Sequence, residues 1–149
     1  MKIIWLGHAS FRIEIEDQVL LVDPWLKGNP SFPEDREAEA IAGATAIFLT
    51  HGHGDHAADA PRVAGLTGAP VYAVHELAEY LEIVKGVKAI GFGMGGTIRL
   101  GAVAISMVPA CHSSSIDWTG SPAIPAGREA GFMIAGEGRC IYVSGDTDI

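Results

Sequence analysis

The run Thr50-His51-Gly52-His53-Gly54-Asp55-His56 constrains this chain more than any other stretch. Three imidazoles and a carboxylate fall within six residues, and these groups are the usual ligands of zinc and neighbouring divalent ions. The run closes a short apolar stretch, Thr45 to Thr50, that reads as a strand. His51 and His53 stand two apart at the C-terminal end of that strand, so extended backbone projects them to one side. Gly52 and Gly54 let the chain bend tightly between them. Asp55 and His56 then fall in the turn leading to the next helix, placed to face a second ion. Ordinary polar roles explain such a cluster poorly, because burying it unpaired costs on the order of several kcal/mol.

The rest of the chain supplies a scaffold for that cluster. Phe11, Ile13 and Ile15 alternate with Arg12, Glu14 and Glu16, the period of a half-buried strand. Lys2 to Leu6 reads as a strand before it, and Val19 to Val22 as one pairing back across a turn at Asp17-Gln18. A Pro-, Gly- and Asn-containing loop spans Asp23 to Pro33, and Glu34 to Ala42 can form a helix with few apolar anchors. Asp59-Ala60-Pro61 predicts a helix start with Asp59 as its cap, and Gly68 a stop. Val71 to Val74 and Lys88 to Phe92 read as strands around a helix over Glu76 to Val84. Two hairpins follow: Thr97 to Leu100 with Val103 to Pro109, and Gly131 to Ala135 with Arg139 to Ser144. Early hairpins followed by alternating strands and helices predict a layered α/β domain spanning residues 1–149.

Composition narrows the partners. The 149 residues are 48% hydrophobic and carry a formal charge of −8, which fits a soluble globular chain and opposes long nucleic acids as ligands. A small phosphorylated substrate remains compatible. Cys111 and Cys140 form no Cys-x-x-Cys pair, so neither a disulfide framework nor a cysteine zinc site is implied. With no apolar leader at the N-terminus and no apolar run of membrane-spanning length, the expected compartment is the cytoplasm. Gly91-Phe92-Gly93-Met94-Gly95-Gly96 matches the dinucleotide-binding glycine pattern. That pattern requires a following helix, whereas Thr97 to Leu100 reads as a strand, so nucleotide binding is rejected here.

The run His51-Gly52-His53-Gly54-Asp55-His56 resembles the His-x-His-x-Asp-His signature of the metallo-β-lactamase fold superfamily. Trp5-Leu6-Gly7-His8-Ala9-Ser10, Val22-Asp23-Pro24, Asn29-Pro30, Ala110-Cys111-His112-Ser113-Ser114-Ser115 and Ser144-Gly145-Asp146-Thr147 are similar to its metal-dependent hydrolase branch. That branch includes the ascorbate-6-phosphate lactonases and the phospholipase-D-type N-acylethanolamine-forming hydrolases. The resemblance implies an αββα sandwich, of which this chain would be the first half plus the start of the second. It implies that His51, His53 and His112 hold one ion, that Asp55 and His56 hold another, and that Asp146 bridges them. The ions are expected to be zinc, with manganese, iron or nickel compatible. Bound in pairs they lower the pKa of water toward ~7, from about 15.7 in bulk. The resulting hydroxide would attack a small ester, lactone or amide, with Asp55 and Asp146 orienting it; a phosphodiester is the alternative substrate, and a non-catalytic metal-binding half-domain the alternative to an enzyme.

The family supplies a last histidine after the bridging aspartate, whereas all six histidines here, ending at His112, precede Asp146. The final ligand is therefore expected from a further C-terminal segment or from a second copy of the chain, and a sheet surface is expected to lie exposed. Around the cluster, Asp23 follows a strand and precedes Pro24, a position for a carboxylate that orients a ligand histidine or for one that caps a loop. By resemblance His8 contacts substrate or the ligands, with an ordinary turn histidine as the other reading. Ser113 to Ser115 read first as loop hydrogen-bonding groups and then as substrate contacts. No Ser/His/Asp triad is implied, since the adjacent histidine serves better as a ligand. Trp5, Trp25 and Trp118 are expected in the core or a pocket wall, and His75 at the surface.

Overall fold

A computed structural model describes residues 1–148. The chain opens with β1 (Lys2–Trp5), β2 (Phe11–Ile15) and β3 (Gln18–Val22), an antiparallel meander. The predicted alternation holds in β2, where Ile13 and Ile15 are buried and Arg12 and Glu14 are partly exposed. The turn between β2 and β3 is Glu16-Asp17, one residue earlier than the sequence suggests. Glu16 takes the left-handed conformation (φ 53°), and Gln18 already pairs with Ile15. The acidic segment splits into a single 3-10 turn (Glu34–Arg36) and a short α1 (Glu37–Ile41) that buries only Ala40 and Ile41.

From there strands and helices alternate: β4 (Ala46–Phe48), α2 (Gly54–Ala57), α3 (Ala60–Thr67), β5 (Val71–Ala73), α4 (His75–Lys85) and β6 (Ala89–Gly91). Strands β3 to β6 pair in parallel, extending the meander into a six-stranded mixed sheet in the order β1-β2-β3-β4-β5-β6. Every residue of β4 and β5 is buried, as expected where a parallel strand is covered on both faces. One cover is the helical layer: α3 buries Ala60, Val63 and Ala64, and α4 buries Leu77, Ala78 and Leu81. Gly68 and Gly86 end these helices in the left-handed conformation, the first at the stop that the sequence predicts.

The other cover is a second, antiparallel sheet of β7 (Thr97–Leu100), β8 (Val103–Pro109), β11 (Ala130–Gly136) and β12 (Arg139–Val143), in the order β12-β11-β8-β7. Phe48 of β4 stacks on Tyr72 of β5 (centroids 5.0 Å) and meets Phe132 of β11 edge-on (5.4 Å), so the two sheets join through aromatic rings at their centres. The α/β layered class is as expected, here as helices, sheet and sheet. Between β8 and β11 lies a two-stranded ribbon absent from the sequence reading, β9 (Ser115–Ile116) paired with β10 (Ile124–Pro125). Its strands are too short to leave a period. Of the four glycines of the rejected nucleotide motif, Gly91 ends β6 and Gly95 lies in the turn leading toward β7. No helix among the described residues is long and apolar enough to cross a membrane.

Asp59 occupies the position before α3 but makes no capping hydrogen bond, contrary to the sequence expectation. Its carboxylate is used elsewhere: Oδ2 accepts the amides of Leu26 (3.1 Å) and Lys27 (2.9 Å), and Arg62 donates to both oxygens. Arg62 also reaches Glu37, tying α1, α3 and the 25–27 loop together. Burial opposes the Asp59 charge, but Arg62 and the two amides outweigh it and hold the carboxyl below its ordinary value. A depressed carboxylate contributes stability that is complete above its unfolded value near ~3.9 and disappears as pH falls through the lowered folded value. Asp59→Ala is expected to lower unfolding free energy by about 2–3 kcal/mol at pH 7. In urea melts followed by tryptophan fluorescence, the gap between variant and wild type should shrink below about pH 4.

Candidate metal centre

The ends of two neighbouring strands, β3 and β4, create the site. Asp23 follows β3, is fully buried and holds a left-handed backbone (φ 45°). Its amide donates to Phe48 O at 2.9 Å, and Ser10 Oγ and Trp25 N donate to its carbonyl. The carboxylate is thereby aimed across to Thr50, beyond β4. Oδ1 accepts the Thr50 amide at 2.8 Å; Oδ2 accepts the Thr50 hydroxyl at 2.6 Å and His56 Nδ1–H at 2.9 Å. Thr50 Oγ1 has a single proton, and it is given to Asp23. The hydroxyl therefore accepts from His51 Nδ1–H, 2.9 Å away. One carboxylate thus places the proton of both His51 and His56 on Nδ1, directly for the second and through Thr50 for the first.

The consequence appears on the opposite ring nitrogens. His51 Nε2 and His56 Nε2 are buried and have no hydrogen-bond partner. Unpaired buried nitrogens are costly unless something else occupies their lone pairs. Burial, followed by the neighbouring His56, pushes His51 down to about 4, so its Nε2 lone pair is available at neutral pH. Burial also opposes the charged form of His56, but Asp23, Asp146 and Asp55 outweigh it and raise its value.

The other sequence-predicted residues gather at these nitrogens. His53 and His112 join His51 in a group whose ligand atoms lie within 4.8 Å of one another, with ring centroids 4.6–5.2 Å apart. Asp146 joins His51 and His56 in a second such group. Its Oδ1 lies 3.4 Å from His56 Nε2 and its Oδ2 3.8 Å from His112 Nε2, so the two oxygens face opposite halves of the cluster. Asp55 and His56 lie inside the short helix α2 rather than in an open turn, and His8 completes a third group with them. Ser113 Oγ is 3.4 Å from His53 Nε2, at the edge of hydrogen-bonding distance. The donor set is imidazole and carboxylate, which suits zinc and its neighbours.

Several supports lie outside the motif. Ser114 Oγ accepts the Gly52 amide, Asp117 accepts the Gly54 amide, and Trp118 Nε1 donates to Gly52 O. The β9–β10 ribbon is thus laid against the histidine turn. A Cβ on Gly52 would meet Ala126 Cβ at 2.5 Å, and one on Gly145 would meet Thr50 Cβ at 2.7 Å. Thr50 was legible only as a strand residue, although a hydroxyl directly before a ligand histidine and opposite a buried Asp is a usable signal. Of the tryptophans, Trp25 stands edge-on to His8 and Trp118 is half-buried, but Trp5 is 62% exposed, with its indole N–H spent on His8 O. Trp5 lies in β1, the outermost strand of the sheet, which explains the departure from a core position. His75 is exposed at the start of α4, as expected, and Cys111 and Cys140 are free and exposed.

Two substitutions test this geometry without any ligand. Thr50→Val should abolish the Nδ1–H preference of His51, read from imidazole nitrogen chemical shifts, while leaving His56 on its Asp23 hydrogen bond. Gly52→Ala should lower stability by about 1–3 kcal/mol in thermal or urea melts, because the methyl must displace Ala126.

The family model for the beta-lactamase superfamily domain matches residues 18–149. A UPF0173 metal-dependent hydrolase of Dinoroseobacter shibae is 58% identical over 149 residues, covering all of this chain and 64% of that protein. One from Cereibacter sphaeroides is 57% identical with the same coverage, so the chain spans 64% of the length of these relatives. Among solved structures, Igni18, a metallo hydrolase from Ignicoccus hospitalis, superposes with a TM-score of 0.75 at 28% identity, covering 97% of this chain and 60% of that one. An isothiocyanate hydrolase from Delia radicum gut bacteria gives a TM-score of 0.74 at 19% identity, covering 100% and 64%, a likeness of fold alone. Sequence and architecture agree: the chain belongs to the beta-lactamase superfamily domain family, with a metallo-β-lactamase fold.

Proposed function

We propose that this chain carries the metal-binding core of a hydrolase that acts on a small ester, lactone or amide through two divalent ions. The observation that carries the reading is the pair of buried, unpartnered Nε2 atoms of His51 and His56, each with its proton fixed on the far side of the ring. In this reading His51, His53 and His112 hold one ion, and Asp55 and His56 hold the other. Asp146, with one oxygen toward each half, would serve both. When bound, such a pair supplies an activated water at neutral pH and stabilises charge building on the electrophile. Zinc is the proposed metal, with manganese, iron or nickel fitting the same donors.

The chain's own groups do the positioning. Asp23 holds two ligand rings, while Asp55 and Asp146 would orient the nucleophile that such ions supply. Cys111, His112, Asp146 and Thr147 line an open mouth, where a small substrate can enter without a closed pocket. Ser113 lies beside that mouth as a substrate or loop hydrogen-bonding group. The formal charge of −8 opposes a long polyanion. Two free, exposed thiols favour a reducing compartment such as the cytoplasm.

Hydrolysis of a nitrophenyl ester is expected to vanish with a chelator and to return on adding Zn²⁺. His53→Ala should abolish it with no rescue by metal. Faster turnover of a nitrophenyl phosphodiester than of the ester would reassign the substrate class. Absence of both activities, with metal bound, would leave a non-catalytic domain and overturn the reading.

A further inference from the structure

We propose that His8 is the positioning residue of Asp55: its Nε2–H holds Oδ2, the carboxylate oxygen that also faces His56, and so sets the direction in which the carboxylate meets a cation. The inference rests on the two-ion reading above and assigns a task to a residue outside the histidine run.

His8 Nε2 lies 2.9 Å from Asp55 Oδ2, across a separation of 47 residues. Both side chains are partly open to solvent, at 40% and 43% exposure, so the contact adds little stability. What is unusual is how firmly the backbone delivers the ring. His8 sits at φ 51°, a left-handed conformation that a non-glycine residue keeps only when its surroundings enforce it. They do so here in four ways. Leu6 N donates to Ser10 O at 2.8 Å, and Ser10 N donates to Gly7 O at 3.0 Å, closing the turn. Gly7 (φ 90°) is pressed so closely on Ser31 that a Cβ would lie 2.8 Å from its carbonyl carbon. Trp5 Nε1 donates to the His8 carbonyl at 2.8 Å. The imidazole is then flanked edge-on by Trp25 at 5.4 Å and His56 at 5.3 Å.

The protonation pattern separates His8 from the ligand histidines. A hydrogen bond from Nε2 to a carboxylate needs the proton on Nε2, which leaves that nitrogen no lone pair for a metal. His51 and His56 show the opposite arrangement, with Nδ1–H donated outward and Nε2 unpartnered. Asp55 meanwhile sits on a helix of only four residues, and the Oδ2 that His8 holds lies 4.0 Å from His56 Nε2. Without His8 its carboxylate would keep only the hydrogen bond to its own backbone amide. With His8 its orientation is fixed before any ion arrives.

The test is Zn²⁺ titration of the metal-free chain against a chromophoric chelator, for the wild type, His8→Asn and His8→Gln. Asn tolerates the left-handed backbone but is too short to reach Asp55; Gln reaches it with an amide N–H. Wild type should bind two ions. His8→Asn should weaken one of the two steps by about 10–100-fold and leave the other unchanged, and His8→Gln should recover most of the loss. Unchanged affinities in His8→Asn, or equal weakening of both steps, would overturn the proposal. A His8→Gln variant as weak as His8→Asn would also overturn it, by making His8 a ligand. Fewer than two ions in the wild type would instead sink the two-ion reading itself, and this inference with it. Melting curves of the metal-free variants separate loss of affinity from loss of fold.

Discussion

The buried carboxylate of Asp23 is the constraint around which the rest of the site is arranged. It lies where two parallel strands end side by side, and its oxygens accept from groups that follow the second strand. A buried charge without partners would be prohibitive. Here the partners are an amide, a hydroxyl and an imidazole, and satisfying the charge fixes the tautomers of two rings. Fold and chemistry are therefore not separable at this point. The same hydrogen bonds that make the Asp23 charge tolerable also leave His51 Nε2 and His56 Nε2 without partners.

Much of this was legible in the sequence because it rests on local chemistry. The histidine run announces itself by composition. The hydrophobic alternation of β2, the hairpin around Gly101 and the glycine stop of α3 follow from periods and backbone conformations that single residues encode. What escaped depends on tertiary partners. Asp59 has the sequence of a helix cap, but the amides of Leu26 and Lys27 and the guanidinium of Arg62 compete successfully for its oxygens. Trp5 has the composition of a core residue but lies on the outermost strand. The β9–β10 ribbon has only two residues on each side, below the length at which alternation is readable. Thr50 looks like the last residue of an apolar strand, and its part in the Asp23–His51 relay exists only once β3 and β4 are adjacent.

The site is also divided between layers. His8, Asp23, His51, His53, Asp55 and His56 come from the meander and the first parallel strands, whereas His112 and Asp146 follow β8 and β12 of the other sheet. The core joins these layers through Phe48 and Phe132, and the site joins them again at their rim. Sheet docking and assembly of the donor set are consequently one event.

At that rim the sheets touch through Gly145, whose missing side chain lets the backbone before Asp146 rest directly on Thr50. The separation of the two jaws is thus limited by a hydrogen atom. A methyl group there would act as a wedge between Thr50 and the segment that carries Asp146. It would also press on Thr50 Oγ1, 2.8 Å from such a Cβ, so the relay from Asp23 to His51 would be disturbed together with the placing of Asp146. The gauge of this site, as opposed to its chemistry, is set by the smallest residue in it.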